Sequence, residues 1–148
     1  MARTEPRVMV LTCNWNALQS LDEAGKHRLE LPAGVRPLKV DCMGQVGSSI
    51  ILKAVEKGAD GVMLVACAPE ECHYEFGSRR AAEMFEEVRQ LAALLGIHRN
   101  RLQFTQIGTG ESASLVSRLQ DFVDRLASPA EEPIHGQQPS AIGEGAAD

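Results

Sequence analysis

GVMLVAC, residues 61–67, runs through seven positions without a charged or amide side chain and then breaks into APEECHY, residues 68–74. A short unbroken apolar run of this kind, bounded by breakers, predicts a strand covered on both faces, as in a parallel sheet. The run ends on Cys67, so that thiol falls where a strand gives way to a loop. Five residues on, past Pro69 and two glutamates, come Cys72, His73 and the chain's only tyrosine, Tyr74.

Outward from this stretch the same grammar repeats. RVMVLTC (7–13), PLKVDC (37–42) and LQFTQIG (102–108) read as three further strands. Amphipathic stretches separate them. The first helix is expected around 17–29, with Gly25 inside it, and a shorter one carries Ile50, Ile51, Ala54 and Val55 before Gly58. Residues 78–95 put Ala82, Phe85, Val88, Ala92 and Leu95 on one face, with Gly96 as the C-cap. Leu115, Leu119, Phe122, Val123 and Leu126 follow helical spacing ahead of Pro129. Strictly alternating strands and helices imply a parallel sheet with right-handed crossovers. The expected fold is α/β: a flavodoxin-like, doubly wound, four-stranded parallel sheet in a single domain.

Composition agrees with one core. The chain has 148 residues, 44% hydrophobic and 24% charged, as in an ordinary soluble domain. Net charge is −5, but residues 129–148 hold four acids and no Lys or Arg, leaving the first 128 residues at −1. No basic stripe for nucleic acid emerges. Residues 129–148, poor in large apolar groups, read as a disordered acidic tail on a domain spanning residues 1–128. The N-terminal residues MARTEPRVMV lack a signal-peptide pattern, and no segment has the length of a membrane span. A reducing, cytoplasmic setting follows as the expectation, and it favours metal or redox chemistry for the cysteines over structural disulfides.

The cysteine positions then become informative. Cys13, Cys42 and Cys67 each close a separate predicted strand, and Cys72 lies on the loop after the third. In open α/β sheets ligands bind outside the carboxyl ends of the strands. Four thiols scattered in sequence are therefore expected to converge on one site. Four soft thiolates suit a 2Fe–2S cluster, and C-x4-C plus two remote cysteines is compatible with that centre. A structural zinc takes the same donors, although such sites usually come as two close pairs and only one pair is close here. Burial as packing residues is the third alternative. His73 can serve as a nitrogen ligand, as in Rieske centres, or stand beside the ligands. Trp15 and Tyr74 can shield the site, dock a partner or pack at the sheet edge. A thiol redox enzyme is disfavoured by the lack of C-x-x-C and of a basic activator beside Cys67.

Two glycine patterns compete for attention. GTGESA (108–113) matches a dinucleotide loop in form, but no later strand carries an acidic ribose partner, and a tight turn explains it. GQVGSS (44–49) lacks the lysine of a phosphate loop and reads as a helix entry capped by serine.

LTCNWNALQSLDEAG (11–25), VDCMGQVGSSIILKAVEKGADGVMLVACAPEECHY (40–74) and the helix that follows resemble the delta subunit of methyl-viologen-reducing hydrogenase. The family's patterns run approximately C-C-N-W-C, M-C-S-G-R-V and G-C-H-P-G-D-C-H-Y, and the similarity spans roughly residues 7–127. Cys13, Cys42, Cys67 and Cys72 match family cysteines; Asn14, Trp15, His73 and Tyr74 match the residues flanking them. The resemblance implies a 2Fe–2S electron-transfer subunit linking a hydrogenase or other oxidoreductase to a flavin-containing, heterodisulfide-reductase-like subunit. Thr12 and Asn16 stand where the family has further cysteines, and Ala68 and Glu70 replace the His and Gly of the third motif. No thiol is spare. The alternative this raises is a cluster-free or zinc-bound structural adaptor in the same kind of complex.

Overall fold

In a computed structural model, which describes residues 5–128, four strands and four helices alternate along the chain. They are β1 (Val8–Cys13), α1 (Asn16–Lys26), β2 (Val35–Val40), α2 (Ser48–Glu56), β3 (Gly61–Cys67), α3 (Gly77–Leu94), β4 (Leu102–Ile107) and α4 (Ser112–Ala127). All strand pairs are parallel, and the order across the sheet is β2-β1-β3-β4. This is the flavodoxin-like order, with the chain reversing its direction of winding between β1 and β3.

The sequence dictates the layering. β3 is buried at every position, as its unbroken apolar run requires of a central strand. Its side chains alternate between two cores. Met63 and Val65 face the layer holding Leu115, Leu119 and Phe122 of α4; Val62, Leu64 and Ala66 face Ile51 of α2 and Phe85 and Val88 of α3. Each fully buried large side chain contributes about 1.5–3 kcal/mol. α1 packs with α4 on one face, and α2 with α3 on the other.

Several expectations are corrected. β2 starts two residues earlier than expected and ends at Val40, so Cys42 lies just past the strand, ahead of a 3-10 turn at Met43–Gln45. The cause is its edge position: β2 is largely exposed and tolerates Arg36 and Pro37, which blur the apolar signal. In α3 the buried face uses Ala81, and Leu95 is 65% exposed because the helix ends at Leu94. Ala82 is only partly buried, and Gly96, with φ +75°, turns the chain there. α2 has Gly47 at its N-cap and no side-chain cap, in place of the expected serine cap. α1 ends at Lys26, one residue past Gly25 and three residues short of the expected end. The tail assignment for 129–148 lies outside the described residues.

Candidate functional site

All four cysteines meet at the carboxyl edge of the sheet. Cys13 ends β1 and Cys67 ends β3, on either side of the point where the winding reverses, and their Sγ atoms are 3.3 Å apart. Cys42 enters from the turn after β2. Cys72 follows a 3-10 turn at Pro69–Glu71, which Pro69 starts at a position where its missing N–H costs nothing. The four thiols line one small cavity with Trp15, Met43, His73, Tyr74 and Ser78 around them. Its free space, about 10 Å³, is no more than a water's. Three of the cysteines are buried, Cys72 is partly so, and all are free thiols. Among the described residues no group of three or more His, Cys, Asp or Glu side chains is arranged to hold a single metal ion. The thiols thus share a cavity without closing on one point.

The surroundings favour thiolate. Neither α1 nor α3 has a side-chain cap at its N-terminus. Sulfur lies there instead: Ser78 N–H donates to Cys72 Sγ at 3.4 Å, and the backbone N–H groups of Trp15, Asn16 and Ala17 at the start of α1 favour a Cys13 thiolate. The hydrogen bond from Cys67 and these N–H groups, against the opposing effect of burial, bring the Cys13 thiol down to about 6. The Cys67 thiol is pushed up, first by the same hydrogen bond, then by burial and the neighbouring Cys13 and Cys72. Cys67 therefore keeps its proton and donates it to a Cys13 thiolate. This donor set fits an iron–sulfur group: soft ligands, with backbone N–H groups already directed at two of the sulfurs. Gly77, the first residue of α3, lets the sulfurs come this close to the helix, since a Cβ there would run into Cys42 Sγ and come within 3.4 Å of Cys72 Sγ.

Residues with no signature in the sequence hold the loops. Ser78 Oγ donates to the Cys67 carbonyl at 2.5 Å and accepts from Gln106 Nε2 at 2.9 Å. Glu71 accepts from Asn16 Nδ2 at 2.7 Å and from Thr109 N–H at 2.8 Å. Gly108 N–H is taken by the Glu111 carboxylate at 2.5 Å. Carboxylates of this chain thus occupy the N–H groups of GTGESA that a phosphate would need, and the segment is the tight turn expected. His73 does not join the thiols' hydrogen bonds; its exposed ring stacks on Trp15 at 3.5 Å and 16°, with Tyr74 edge-on to both. Trp15 and Tyr74 form an aromatic cover over the cavity mouth, and Phe76 is 57% exposed beside them.

The fold and site define a class: a flavodoxin-like domain that gathers four free thiols at the switch-point edge of its parallel sheet. The chain is a member of the methyl-viologen-reducing hydrogenase delta subunit family, whose model matches residues 8–128. The iron-sulfur subunit of the F420-non-reducing hydrogenase vhc of Methanococcus voltae is 31% identical over 122 residues, covering 82% of this chain and 85% of its own. The iron-sulfur subunit of the F420-non-reducing hydrogenase of Archaeoglobus profundus is 32% identical over 118 residues, 80% of this chain and 86% of its own. One subunit of the ferredoxin:CoB-CoM heterodisulfide reductase of Methanosarcina mazei matches 82% of this chain at 27% identity, but the match is only 15% of that longer protein. Among the described residues no helix is long and apolar enough to cross a membrane.

Proposed function

We propose that the chain is a 2Fe–2S electron-transfer subunit, with Cys13, Cys42, Cys67 and Cys72 as the cluster ligands. It relays electrons between a hydrogenase or other oxidoreductase and a heterodisulfide-reductase-like flavoprotein, within a cytoplasmic complex. The observation that carries this reading is the convergence of all four cysteines on one cavity at the sheet's switch point. The names of the relatives support it: two are iron–sulfur subunits of hydrogenases, and in a third the matching segment is part of a heterodisulfide reductase subunit.

The bound cluster would supply reversible electron uptake; the protein supplies the rest. α1 and α3 direct N–H groups at Cys13 and Cys72, which stabilises anionic sulfur. The aromatic cover keeps water from one side of the cavity and offers an apolar surface for a partner. Residues 129–148 act as a dispensable acidic tail: truncation after Ser128 leaves the thermal midpoint unchanged, and a large drop would show that the tail belongs to the domain.

Elemental analysis of anaerobically purified protein tests the assignment. Iron and acid-labile sulfide are expected at about two each per chain, with visible absorbance that bleaches on reduction. Replacing any one of the four cysteines by Ala abolishes the centre. One zinc per chain with no iron would give the adaptor reading instead, and intact iron in Cys72→Ala would remove Cys72 from the ligand set.

A further inference from the structure

The β3–α3 loop, residues 68–76, carries Cys72 and must hold that thiol over a cavity whose other three cysteines come from remote parts of the chain. Its two ends are fixed. Ala68 N–H bonds to the Ile107 carbonyl at 2.9 Å, and Ser78 holds the start of α3 through the Cys67 carbonyl. Between those points the backbone bonds are local, Glu71 to Ala68, Glu75 to Cys72 and Phe76 to Tyr74. Glu75 adopts φ +59°, a left-handed conformation that a non-glycine residue holds only under restraint.

One side chain ties the middle of this loop to distant structure. Glu71 Oε2 accepts three hydrogen bonds: from Asn16 Nδ2 (2.7 Å), Thr109 N–H (2.8 Å) and Thr109 Oγ1 (3.1 Å). The donors lie 55 and 38 residues away in sequence, in the first turn of α1 and in the β4–α4 turn. Asn16 is itself buried, and its Nδ2 also lies 3.3 Å from the Ile107 carbonyl, so the donor is anchored before it reaches Glu71. A carboxylate receiving donors from two fixed elements acts as a bracket. It sits next to Cys72, and Asn16 is three residues beyond Cys13.

We propose that Glu71 is a positioning residue for the thiol site: it brackets the Cys72 loop to the start of α1 and to the β4–α4 turn, fixing Cys72 relative to Cys13 and Cys67. Only the cluster half of its test rests on the function proposed above. In the metal-free chain the bracket governs how often Cys72 swings out to solvent. In the loaded chain it governs water access to one ligand and places a negative charge beside the site, both of which bear on potential.

The test is anaerobic alkylation of the reduced, metal-free full chain with iodoacetamide, read cysteine by cysteine by mass spectrometry. In Glu71→Ala the Cys72 rate is expected to rise roughly five- to tenfold while the buried Cys13 and Cys67 stay at the parent rate. Glu71→Gln, which keeps an acceptor oxygen, falls between parent and Ala. Thr109→Val, which removes only the hydroxyl donor, has the smallest effect. For the Cys72 rate, Asn16→Ala combined with Glu71→Ala adds little to Glu71→Ala alone, because the Asn16–Glu71 bond is already lost and the remaining Asn16 bond, to the Ile107 carbonyl, does not reach the loop's middle. In the loaded chain Glu71→Gln shifts the midpoint potential upward. Equal acceleration at all four cysteines would mean general loosening and would overturn the proposal, as would an unchanged Cys72 rate. Selective Cys72 exposure in a chain that never retains iron would leave the bracket standing and remove the cluster.

Discussion

The two ends of the sheet are secured by different means. At the amino end, Val8 N–H bonds to the Gly34 carbonyl, Asp60 and Gly61 N–H groups share the Arg7 carbonyl, and Arg101 reaches the carbonyls of Ala59 and Asp60. Most of these ties end on backbone, with the Asp60 carboxylate accepting from Arg7 N–H and Gln103 from Arg125 as the side-chain exceptions. At the carboxyl end more of the ties run between side chains, Glu71 with Asn16, Gln106 with Ser78 and Arg118 with Thr105, alongside bonds from Ser78, Asn16 and Arg118 to strand-end carbonyls. The amino end also has the larger groove, about 630 Å³, lined in part by Arg7, Arg36 and Lys57, yet no thiol reaches it. Size does not mark the site. The thiols gather where side chains carry more of the holding, and there single substitutions can alter the site while the scaffold stays intact.

The largest effect should come from breaking the scaffold. Phe122, on the inner face of α4, is fully buried and belongs to the core on the α1/α4 face. Phe122→Ala is expected to cost about 3–5 kcal/mol in denaturant unfolding and to lower stability whether or not metal is present. An unchanged midpoint would show that the face is not packed as described. At the other end, Gly77→Ala should act in the opposite sense. Its new Cβ meets Cys42 Sγ, so iron loading is expected to fall sharply while the metal-free chain unfolds within about 1–2 kcal/mol of the parent. Normal loading of Gly77→Ala would mean that Cys42 has room to move.

A smaller effect concerns pH. In the metal-free fold Cys13 titrates at about 6 against an ordinary 9.0, while Cys67 is raised. Between those pH values the unfolded chain holds both protons of the pair and the folded chain holds one. Stability from the pair therefore rises as pH goes from about 6 to 9. Above 9.0 the unfolded thiols lose both protons while Cys67 retains its own, so the contribution falls again. Denaturation midpoints of the metal-free chain should show that rise, and a Cys13→Ser, Cys67→Ser double variant should flatten it. A parent profile as flat as the variant's would separate the two thiols.

How much of this the sequence discloses differs between the two ends. The strand–helix alternation and both cores follow from apolar runs and helical spacing, local signals that β3 and α4 carry in full. Cys13 and Cys67 end their strands as the apolar runs imply. Cys42 is harder to place because an edge strand mixes Arg36, Pro37 and Leu38, and its end cannot be read from hydrophobicity. The Glu71 bracket is illegible for a different reason: its partners are 55 and 38 residues distant, and no periodicity links them. Thr12 and Asn16, which read as missing cysteines against the family pattern, are both buried, and each is hydrogen-bonded into the framework. The sequence shows what is absent there. Only the fold shows what replaces it.

The smallest effect is expected at His73, and it separates the site from its cover. His73 adjoins Cys72, so proximity in sequence alone would make it a candidate ligand. Its ring is instead committed to Trp15, stacked at 3.5 Å, with Tyr74 at 4.9 Å and edge-on. The residue is exposed, while the three cysteines that end or follow strands are buried. Loss of an exposed ring that stacks on another costs about 0.5–1.5 kcal/mol of local interaction and leaves the donor set unchanged. His73→Ala should therefore retain the parent iron and sulfide content, with the difference confined to Trp15, whose fluorescence maximum shifts as water reaches the indole. Loss of iron in His73→Ala, with the domain still folded, would move His73 from the cover into the ligand set and leave the four thiols insufficient by themselves.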